Sequence, residues 1–571
     1  MEQDTDKHTA VSAESLINIL DVVYVHRKTS DGGDIYLTEY GLPVAQLLEL
    51  DNWYEKEWFS ARRTRLEGTS AVYRVPTKEV NGRSLELVVK NCRVGEEVPV
   101  ETKTLLEFIN TEFNSPWEEF ALTMEMREGK YGPRDLAIRT QEPLAIYVPP
   151  EKMQLWQSGR SREKINRIHA RHPGIELDIL RQYKLIYGWI RGRDVVEALS
   201  GLGLSGETLL QAVTPLNRKA LQDMDRKGYT VADMKPCHIV IGQPQIEAFE
   251  MRATEGAAAQ IDYLNGLMNE GRYYIVDYEL LIRTPRHEEE VGYTRRHSYL
   301  DDQRDRFTST PLPAHLSQTA VYGVPYIHGH VESTGGRLWV VGRNARLFDY
   351  FLPERWRRTT NWKLSDHNEV YYTLTKDNVH IVWKESRVGE GPDAGGKDRH
   401  VREIEEYGFN SPFEEAAIAG ELGERGIPTV YMRAIYMTGS AKVEQSVDLR
   451  RFRSHEGLRC PDGSAVLRED RNYITVRGYF NGTDTWVASR QGQLCRPVDL
   501  QKALEKGLLP HGQVEALYDA VLERMHAAGF DGRLLDLTDL LAALDPDGEF
   551  ITGTDGMPQV RICNFELVRR L

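Results

Sequence analysis

The strongest constraint on the fold of this chain is an internal repetition of its sequence. The segment FNSPWEE ends at Glu119, and the closely similar FNSPFEE ends at Glu415. Upstream of them, LELVVKNCRVGEE contains Lys90 and VHIVWKESRVGEG contains Lys384, with almost the same spacing to the glutamates. Because self-similarity at a long fixed period is typical of a structural unit built more than once, the chain is expected to contain two related units.

Further pairs of segments extend the repetition over nearly the whole chain. YKLIYGWIRGRD matches YITVRGYFNGTD, and IVDYELLIR around Asp277 matches ICNFELVRR around Asn564. A chain of 571 residues also exceeds what one hydrophobic core usually supports. The sequence therefore predicts four parts: an N-terminal extension with a small β unit over 1–59, a first unit over 60–300, a polar linker over 301–320 and a second unit over 321–571.

Composition excludes several classes of protein. A formal net charge of -14 argues against nucleic acid as the partner. The five cysteines form no CxxC pair, so neither a disulfide framework nor a zinc ribbon is indicated. No apolar run approaches the roughly 18 residues that a membrane span needs, and the first residues are acidic and polar rather than basic and then apolar. No membrane span and a cytoplasmic location are expected.

Local patterns predict the secondary structure that carries the repeated segments. Around Asn81-Gly82 two apolar-alternating runs predict a β-hairpin whose second strand ends at Lys90. In FNSPWEEF, Ser115 is a helix cap, Pro116 fits the first helical position, and Glu118 completes a capping box. This places Glu119 in the first turn of a helix.

The downstream segments predict a strand, a helix and another strand. YKLIYGWI and YYIVDYELLI are rich in aromatic and branched residues, which favours strands. Between them, apolar residues at helical spacing from Leu209 to Met224 predict a helix that Gly228 closes. The fold class is therefore α+β, with the order hairpin, helix, strand, helix, polar loop and strand in the first unit.

The motifs carried by these successive elements of the first unit resemble those of the protein-kinase superfamily. YTVADMKPCHIVI resembles a kinase catalytic loop, with Asp233 and Lys235 matching and His238 standing where that family usually has Asn. YYIVDYELL resembles the metal-binding DFG segment, with Asp277 matching and Glu279 in place of Gly. The resemblance implies two tandem kinase-like modules, each with a β-rich lobe and a reduced helical lobe.

The upstream residues complete the resemblance. Lys90 is similar to the phosphate-binding lysine of the third kinase strand, Glu119 to its helix partner, and RLEGTSAVYRV around Gly68 to a degenerate phosphate loop. These matches imply that ATP and Mg²⁺ or Mn²⁺ are the cofactors. A triphosphate needs a rigidly held cation, here Lys90, and its metal needs oxygen ligands, which Asp277 supplies.

Roles for the loop residues follow from the same resemblance. Asp233 would accept the proton of an attacking hydroxyl, and Lys235 would neutralise charge on the transferred group. His238 offers a soft nitrogen donor at a position where magnesium prefers oxygen. One interpretation is therefore that manganese is bound there, or that the site holds a single metal ion. The loop spacing is similar to that of lipopolysaccharide heptose and Kdo kinases, which phosphorylate sugars. A neutral, hydrogen-bonded histidine is the alternative.

Two departures argue against a conventional protein kinase. The interval from Asp233 to Asp277 is about twice the kinase length, and its excess over 245–271 predicts one inserted helix. Neither unit has room after its DFG-like segment for a kinase activation segment and substrate-docking helices. A small-molecule kinase, an unusual transferase or a binding scaffold is therefore favoured.

The second unit is predicted to have lost more of the site. It keeps Lys384 and Glu415, but Asn564 stands at the metal-binding aspartate. Alignment of GFDGRLLDLTDLLAAL on the loop places Asp536 at the Asp233 position, Thr538 at Lys235 and Leu541 at His238. With two metal positions neutral or apolar, very weak magnesium-nucleotide binding is expected, as in a pseudokinase that regulates the first unit.

Three functions remain open from the sequence. The first is an ATP-dependent phosphotransferase that acts through the first unit on a small-molecule or protein acceptor. The second is a non-catalytic tandem pseudokinase scaffold for a protein or peptide partner. The third is a nucleotidyltransferase, because related folds are reused for such reactions.

Overall fold

The computed structural model describes most of the chain in two compact units. The described residues up to 290 form the first unit, and those from 291 onward form the second. The described ranges are 15–66, 71–92, 112–154, 180–356, 359–365, 368–393, 398–442, 444–479, 495–545, 547–553 and 556–571. Among them, no helix has the length and apolar character needed to cross a membrane.

The first unit is built on an eight-stranded antiparallel sheet of order β1-β2-β3-β8-β9-β6-β5-β4. Its strands are β1 Ser15–Ile19, β2 Val22–Lys28, β3 Asp34–Leu37, β4 Thr64–Arg65, β5 Val72–Pro76, β6 Glu86–Asn91, β8 Pro143–Val148 and β9 Lys184–Gly188. Two small sheets follow it, β10-β12-β13-β7 and β11-β14. Their strands are β7 Arg139–Thr140, β10 Gly192–Asp194, β11 Tyr229–Val231, β12 Ile239–Gly242, β13 Tyr274–Ile275 and β14 Leu281–Arg283.

The helices of the first unit pack around these sheets. The α-helices are α1 Leu50–Trp53, α2 Lys56–Arg62, α3 Pro116–Glu128, α4 Val195–Ser200, α5 Gly206–Arg226, α6 Gln243–Met251 and α7 Ala257–Asn269. Short 3-10 helices cover Leu42–Leu48, Pro236–His238 and Arg252–Glu255. Helix α8, Pro285–Arg304, begins in the first unit and ends in the second.

The second unit has its own eight-stranded antiparallel sheet, of order β15-β16-β17-β21-β22-β20-β19-β18. Its strands are β15 Leu316–Val321, β16 Val324–Val331, β17 Gly336–Val341, β18 Asn361–Lys363, β19 Val370–Leu374, β20 His380–Glu385, β21 Met432–Met437 and β22 Tyr473–Gly478. Counted along the chain, the strands of the two large sheets follow the same spatial order.

The rest of the second unit consists of short sheets and helices. The strands are β23 Arg496–Asp499, β24 Phe530–Asp531, β25 Leu540–Leu544, β26 Arg561–Ile562 and β27 Arg569–Arg570. The helices are α9 Asp398–Tyr407, α10 Pro412–Glu424, α11 Arg450–Ser454, α12 Leu500–Glu505 and α13 His511–Ala527, with 3-10 helices over Ala345–Phe351, Pro353–Arg355 and Leu537–Asp539.

An aromatic core fixes helix α3 against the first sheet. Trp117 of α3 makes edge contacts with Tyr24 and Tyr36, at ring-centroid distances of 5.3 and 4.8 Å. Phe120, one helical turn further on, lies 5.1 Å from the ring of Tyr187 on β9. Burying such large rings is strongly favourable. The contacts therefore hold the first turn of α3 at a fixed place beside β9.

Several local predictions are confirmed. β5 and β6 form the hairpin, with Asn81 and Gly82 both at positive φ in its turn. Helix α3 begins at Pro116 with the Ser115–Glu118 capping box. Helix α5 ends just before Gly228, whose φ is 77°. The α+β class also holds.

Other predictions differ from the structure. The segment YYIVDYELLI is not one strand, because the chain turns sharply at Asp277 between β13 and β14. The region 245–271 contains most of two helices, α6 and α7, rather than one.

The predicted domain boundaries also differ from those of the structure. The boundary after residue 59 falls inside the first unit, since β3 pairs with β8 and so joins the N-terminal strands to the main sheet. Within 301–320, α8 continues to Arg304 and β15 begins at Leu316. Helix α8 is ordered by partners its sequence does not reveal: Arg295 binds Asp349 at 2.7 Å and Asp377 at 3.0 Å.

Candidate functional site

A buried lysine lies at the centre of the first unit. Lys90 is on β6 and is only 5% exposed. Its Nζ lies 2.8 Å from Asp277 Oδ1, 3.3 Å from Glu119 Oε1 and 3.2 Å from Glu279 Oε2. Three carboxylates from two distant parts of the chain therefore converge on one ammonium group.

Helix α3 presents Glu119 to this lysine. The capping box fixes its first turn, with Glu118 N–H donating to Ser115 Oγ at 3.2 Å and Ser115 N–H donating to Glu118 Oε2 at 2.9 Å. Tyr187 then donates its hydroxyl to Glu119 Oε1 at 2.8 Å. The other carboxylate oxygen, Oε2, is buried and has no hydrogen-bond partner among the described residues.

Asp277 stands in a sharply turned segment between β13 and β14. Its backbone has a φ of 69°, in the left-handed region that non-glycine residues rarely adopt. Such conformations cost about 1–3 kcal/mol and persist where the surroundings enforce them. Here the carboxylate is held by Lys90 and remains 30% exposed. Asp277 is thus the member of the cluster through which a ligand can enter.

The charges of the cluster shift one another's ionisation. Burial raises the pKa of Asp277, but Lys90 and His238 outweigh it and lower the pKa to about 2. Burial lowers the pKa of Lys90, but Asp277, Glu119 and Glu279 raise it well above its usual value. Burial raises the pKa of Glu119, and Lys90 offsets this only in part. Asp277 is therefore more firmly ionised than Glu119.

Asn114, in the repeated FNSP segment, connects the parts of the site. Its side-chain amide donates to the carbonyl oxygens of Tyr278 at 3.1 Å and Leu281 at 2.8 Å, and its backbone N–H donates to Glu279 O at 2.9 Å. The segment after Asp277 is thereby tied to the start of α3. Sequence reasoning treated FNSP only as a helix cap and missed this role, although the repetition of the Asn at Asn410 was an available signal.

His238 lies next to Asp277, and the ring nitrogen that faces the Asp277 carboxylate carries a hydrogen. The 3-10 helix Pro236–His238 places His238 Nε2 3.8 Å from Asp277 Oδ2. Its Nδ1 accepts a hydrogen bond from Lys235 N–H at 3.4 Å, so in the neutral ring Nε2 carries the hydrogen. A protonated ring nitrogen cannot bind a metal. This geometry favours the hydrogen-bonded histidine over the predicted metal ligand.

Asp233 and Lys235 lie on the loop that joins this histidine to β11. Lys235 Nζ is 3.3 Å from Asp233 Oδ2, and Asp233 Oδ1 is buried without a hydrogen-bond partner among the described residues. Ala232, the preceding residue, packs in a small buried cluster with Phe113 and Leu280. Because Phe113 precedes Asn114 and Leu280 follows Glu279, this packing brings the loop beside the lysine cluster.

The structure thus brings Lys90, Glu119, Asp277 and His238 together and places Asp233 and Lys235 on the adjoining loop. Gly68 lies outside the described residues. No group of three or more His, Cys, Asp or Glu side chains among the described residues is arranged to hold a metal. The donor set fits a metal that arrives with phosphate ligands, since Mg²⁺ is commonly held by one or two carboxylates plus phosphates and water.

The loop alignment predicted for the second unit is wrong by two residues. Asp539 N–H donates to Asp536 O at 2.9 Å, just as His238 N–H donates to Lys235 O at 2.9 Å. Cys563 N–H, immediately before Asn564, donates to Asp539 O at 2.9 Å, as Val276 N–H does to His238 O at 3.0 Å. Asp539 therefore occupies the place of His238, not Leu541.

The same register assigns the other two loop positions. Leu534, not Asp536, corresponds to Asp233, and Asp536, not Thr538, corresponds to Lys235. The pairing of β24 with β27 supports it, since Phe530 faces Arg570 as Tyr229 faces Arg283. The alignment of GFDGRLLDLTDLLAAL on the loop gave the wrong register, whereas the backbone hydrogen bonds fix the right one.

The second unit neutralises its lysine differently. Lys384 Nζ lies 2.7 Å from Glu566 Oε1 and 3.0 Å from Asn564 Oδ1. Glu415 is held instead by Arg477, whose Nη2 lies 2.7 Å from Glu415 Oε2. Arg477 faces Val382 in the sheet as Tyr187 faces Val88 in the first unit.

Comparison of the sequence with models of protein families and with curated proteins gives no match. The functional argument therefore depends on the site itself.

Proposed function

We propose that the first unit is an ATP-dependent phosphotransferase built on a kinase-like module and that the second unit is a related module without transfer activity. The observation that carries the proposal is the convergence of Asp277, Glu119 and Glu279 on the buried Lys90 ammonium. The common strand order of the two large sheets supports the tandem arrangement.

Each group has a task in this proposal. Lys90, oriented by Glu119, would bind phosphate oxygens of the nucleotide through charge-assisted hydrogen bonds. Asp277 would hold the magnesium or manganese ion, which supplies neutralisation of the phosphate charge when bound. His238 would orient Asp277 by facing its second oxygen, 3.8 Å away. Asn114 would keep the Asp277 segment at a fixed distance from Glu119.

Asp233 would act on the acceptor. An acceptor hydroxyl oxygen would form a bond to the γ-phosphorus while the bond from that phosphorus to the β-γ bridging oxygen breaks, releasing ADP. Asp233 would take the hydroxyl proton, and Lys235 would neutralise charge on the transferred group. Asp233 Oδ1 is buried and has no hydrogen-bond partner among the described residues, and it would accept that hydrogen bond once the acceptor reaches it.

The test is ATP turnover by the full chain with Mg²⁺ or Mn²⁺, with matched substitutions in the two units. Asp277→Asn and Lys90→Met are expected to lower turnover by at least about a hundredfold, because they remove transition-state charge stabilisation. Asn564→Ala, at the corresponding place in the second unit, is the control and is expected to retain most of the turnover. Equal turnover in wild type and Asp277→Asn would refute the proposal.

Product analysis separates the other two candidate functions. Mass spectrometry of acceptor and nucleotide products distinguishes added phosphate from added nucleotide. A protein that shows neither turnover nor a melting shift with ATP and metal would be a scaffold instead, since a ligand bound to the folded state alone must raise the melting temperature.

A further inference from the structure

The main sheet of the first unit carries a second buried lysine, on the face opposite Lys90. Lys184 lies on β9 and is 7% exposed. Its neighbour on β9, Leu185, is paired with Lys90, whereas Lys184 is paired with Asn91. Because successive side chains of a strand point to opposite faces of the sheet, Lys184 and Lys90 lie on different faces. A site at Lys184 is therefore separate from the proposed transferase centre.

The amine of Lys184 is buried without a carboxylate partner among the described residues. Its Nζ donates to Asn91 Oδ1 at 3.0 Å and lies 5.2 Å from the centre of the Tyr54 ring. Burial lowers the pKa of Lys184 to about 8. A lysine in such surroundings is partly unprotonated near neutral pH, and the free amine is a nucleophile.

The matching strand of the second unit shows that this position does not need an amine. Ile474 stands at the corresponding place, since it is paired with Glu385 on β20 as Lys184 is paired with Asn91 on β6. Ile474 is completely buried, so the position accepts a hydrocarbon side chain. Burying an amine without an ion partner is unfavourable. The first unit thus keeps an amine, with an uncharged amide beside it, where packing alone favours a hydrocarbon.

A row of aromatic rings extends from the amine. The ring of Tyr54 lies 5.1 Å from that of Phe59, which lies 5.8 Å from that of Tyr73. All three residues are half-buried, so their rings still offer surface to a ligand. Aromatic side chains pack favourably against other aromatic rings. A nucleophilic amine at the end of such a row suits an electrophile that carries an aromatic ring.

We infer that Lys184 is a covalent binding site for an aromatic aldehyde whose ring packs against Tyr54. The unprotonated Nζ attacks the carbonyl carbon and forms a carbon–nitrogen bond. The carbonyl oxygen then leaves as water together with both amine hydrogens, which gives an imine. The step needs neither an oxidant nor a reductant. Tyr147, paired with Lys184 on the other side of β9, is completely buried and helps to keep water from the imine.

The test is reductive labelling of the full chain with benzaldehyde and sodium cyanoborohydride, which reduces an imine to a stable amine. Peptide mass spectrometry then measures the label at each lysine. At pH 7.5, Lys184 is expected to be labelled at least about tenfold faster than the exposed Lys506, because burial favours the free amine. Propanal, which has no ring, should show a smaller preference for Lys184. Labelling no faster than that of Lys506, or an equal preference with propanal, would overturn the inference.

Two substitutions separate this inference from accidental reactivity. Asn91→Glu places a carboxylate beside the amine and should slow the labelling of Lys184 at pH 7.5 by about tenfold, because the paired amine stays protonated. Unchanged labelling in that variant would contradict the inference. Lys184→Ile, which introduces the residue of the second unit, should remove the label and leave the melting temperature unchanged or higher.

ATP turnover distinguishes the two proposals made for the first unit. Lys184→Ile is expected to retain the turnover of wild type, because Lys184 lies on the other face of the sheet from Lys90. Loss of turnover in Lys184→Ile, with a melting temperature equal to that of wild type, would show that the two sites are not separate. Labelling of Lys184 in a chain without turnover would support the covalent site and refute only the transferase.

Discussion

The two lysine clusters of this protein differ in how their buried charge is balanced. Around Lys90, three carboxylates face one ammonium, and the hydroxyl of Tyr187 only adds a hydrogen bond to Glu119. Around Lys384, Arg477 occupies the sheet position that corresponds to Tyr187, and it forms an ion pair with Glu415. Counting Asp539, the second cluster has three carboxylates against two cations.

One sheet position changes the charge balance of each cluster. Three carboxylates contact a single ammonium group in the first cluster, whereas Arg477 adds a second cation to the other. The excess of carboxylates over cations is larger in the first cluster, so an added cation would lower its electrostatic energy more. We therefore expect the first unit to bind metal more tightly than the second. We also expect the folded second unit to depend less on a bound metal for its stability.

Removal of the arginine should have the largest effect on stability. Arg477→Leu leaves the Glu415 carboxylate buried and unpaired, and breaking such a pair from one side costs about 3–5 kcal/mol. The matched Tyr187→Phe removes one hydrogen bond and should cost about 1 kcal/mol. Urea unfolding of the full chain, followed by fluorescence, compares the two. Equal losses would mean that Arg477 does not serve as the charge partner inferred here.

A histidine pair in the two sheets gives the next largest expected effect. His26 Nε2 lies 2.7 Å from Asp34, whereas the charge that acts most strongly on His328 is the nearby Arg337. Burial, reinforced by Arg337, lowers the pKa of His328 to about 4. The unfolded chain binds a proton near pH 6.5, but the folded chain does not. Stability is therefore full above about pH 6.5 and falls by at most about 3 kcal/mol as the pH decreases toward 4.

Urea midpoints measured from pH 7.5 to 4.5 check this prediction. His328→Gln should flatten the acid side of the stability profile, since the variant has no imidazole to protonate on unfolding. His26→Gln is the control, because it makes the same substitution at the corresponding strand position of the first sheet, and it is not expected to flatten the profile. An unchanged acid slope in His328→Gln would contradict the prediction.

The repeated asparagine should give a smaller effect that is similar in both units. Asn114→Ala leaves the carbonyls of Tyr278 and Leu281 without their donor, and Asn410→Ala does the same for those of Phe565 and Val568. Each substitution should cost about 2 kcal/mol, the penalty for buried acceptors left unpaired. Thermal unfolding of both variants measures it. A loss confined to one unit would show that the two connections are not equivalent.

Much of the local structure could be predicted from the sequence. The hairpin turn at Asn81-Gly82, the capping box at Ser115 and the end of α5 before Gly228 all depend on residues within a few positions of one another. Lys90, Glu119 and Asp277 were also singled out from the sequence, because two copies of each segment made the pattern visible, and the structure brings their side chains together. Glu279 was noted only as a departure from Gly, although it is the third carboxylate on Lys90.

The turns, the helix starts and the repeated positions can be predicted from local sequence, since those features follow from short-range backbone preferences. Which charged side chains become partners depends on the fold: Lys90 contacts Asp277, which is far from it in the chain, and Asp539, not Leu541, faces Asn564. Such partners are selected by strand pairing and burial, which act between residues far apart in the chain and leave no fixed spacing in the sequence.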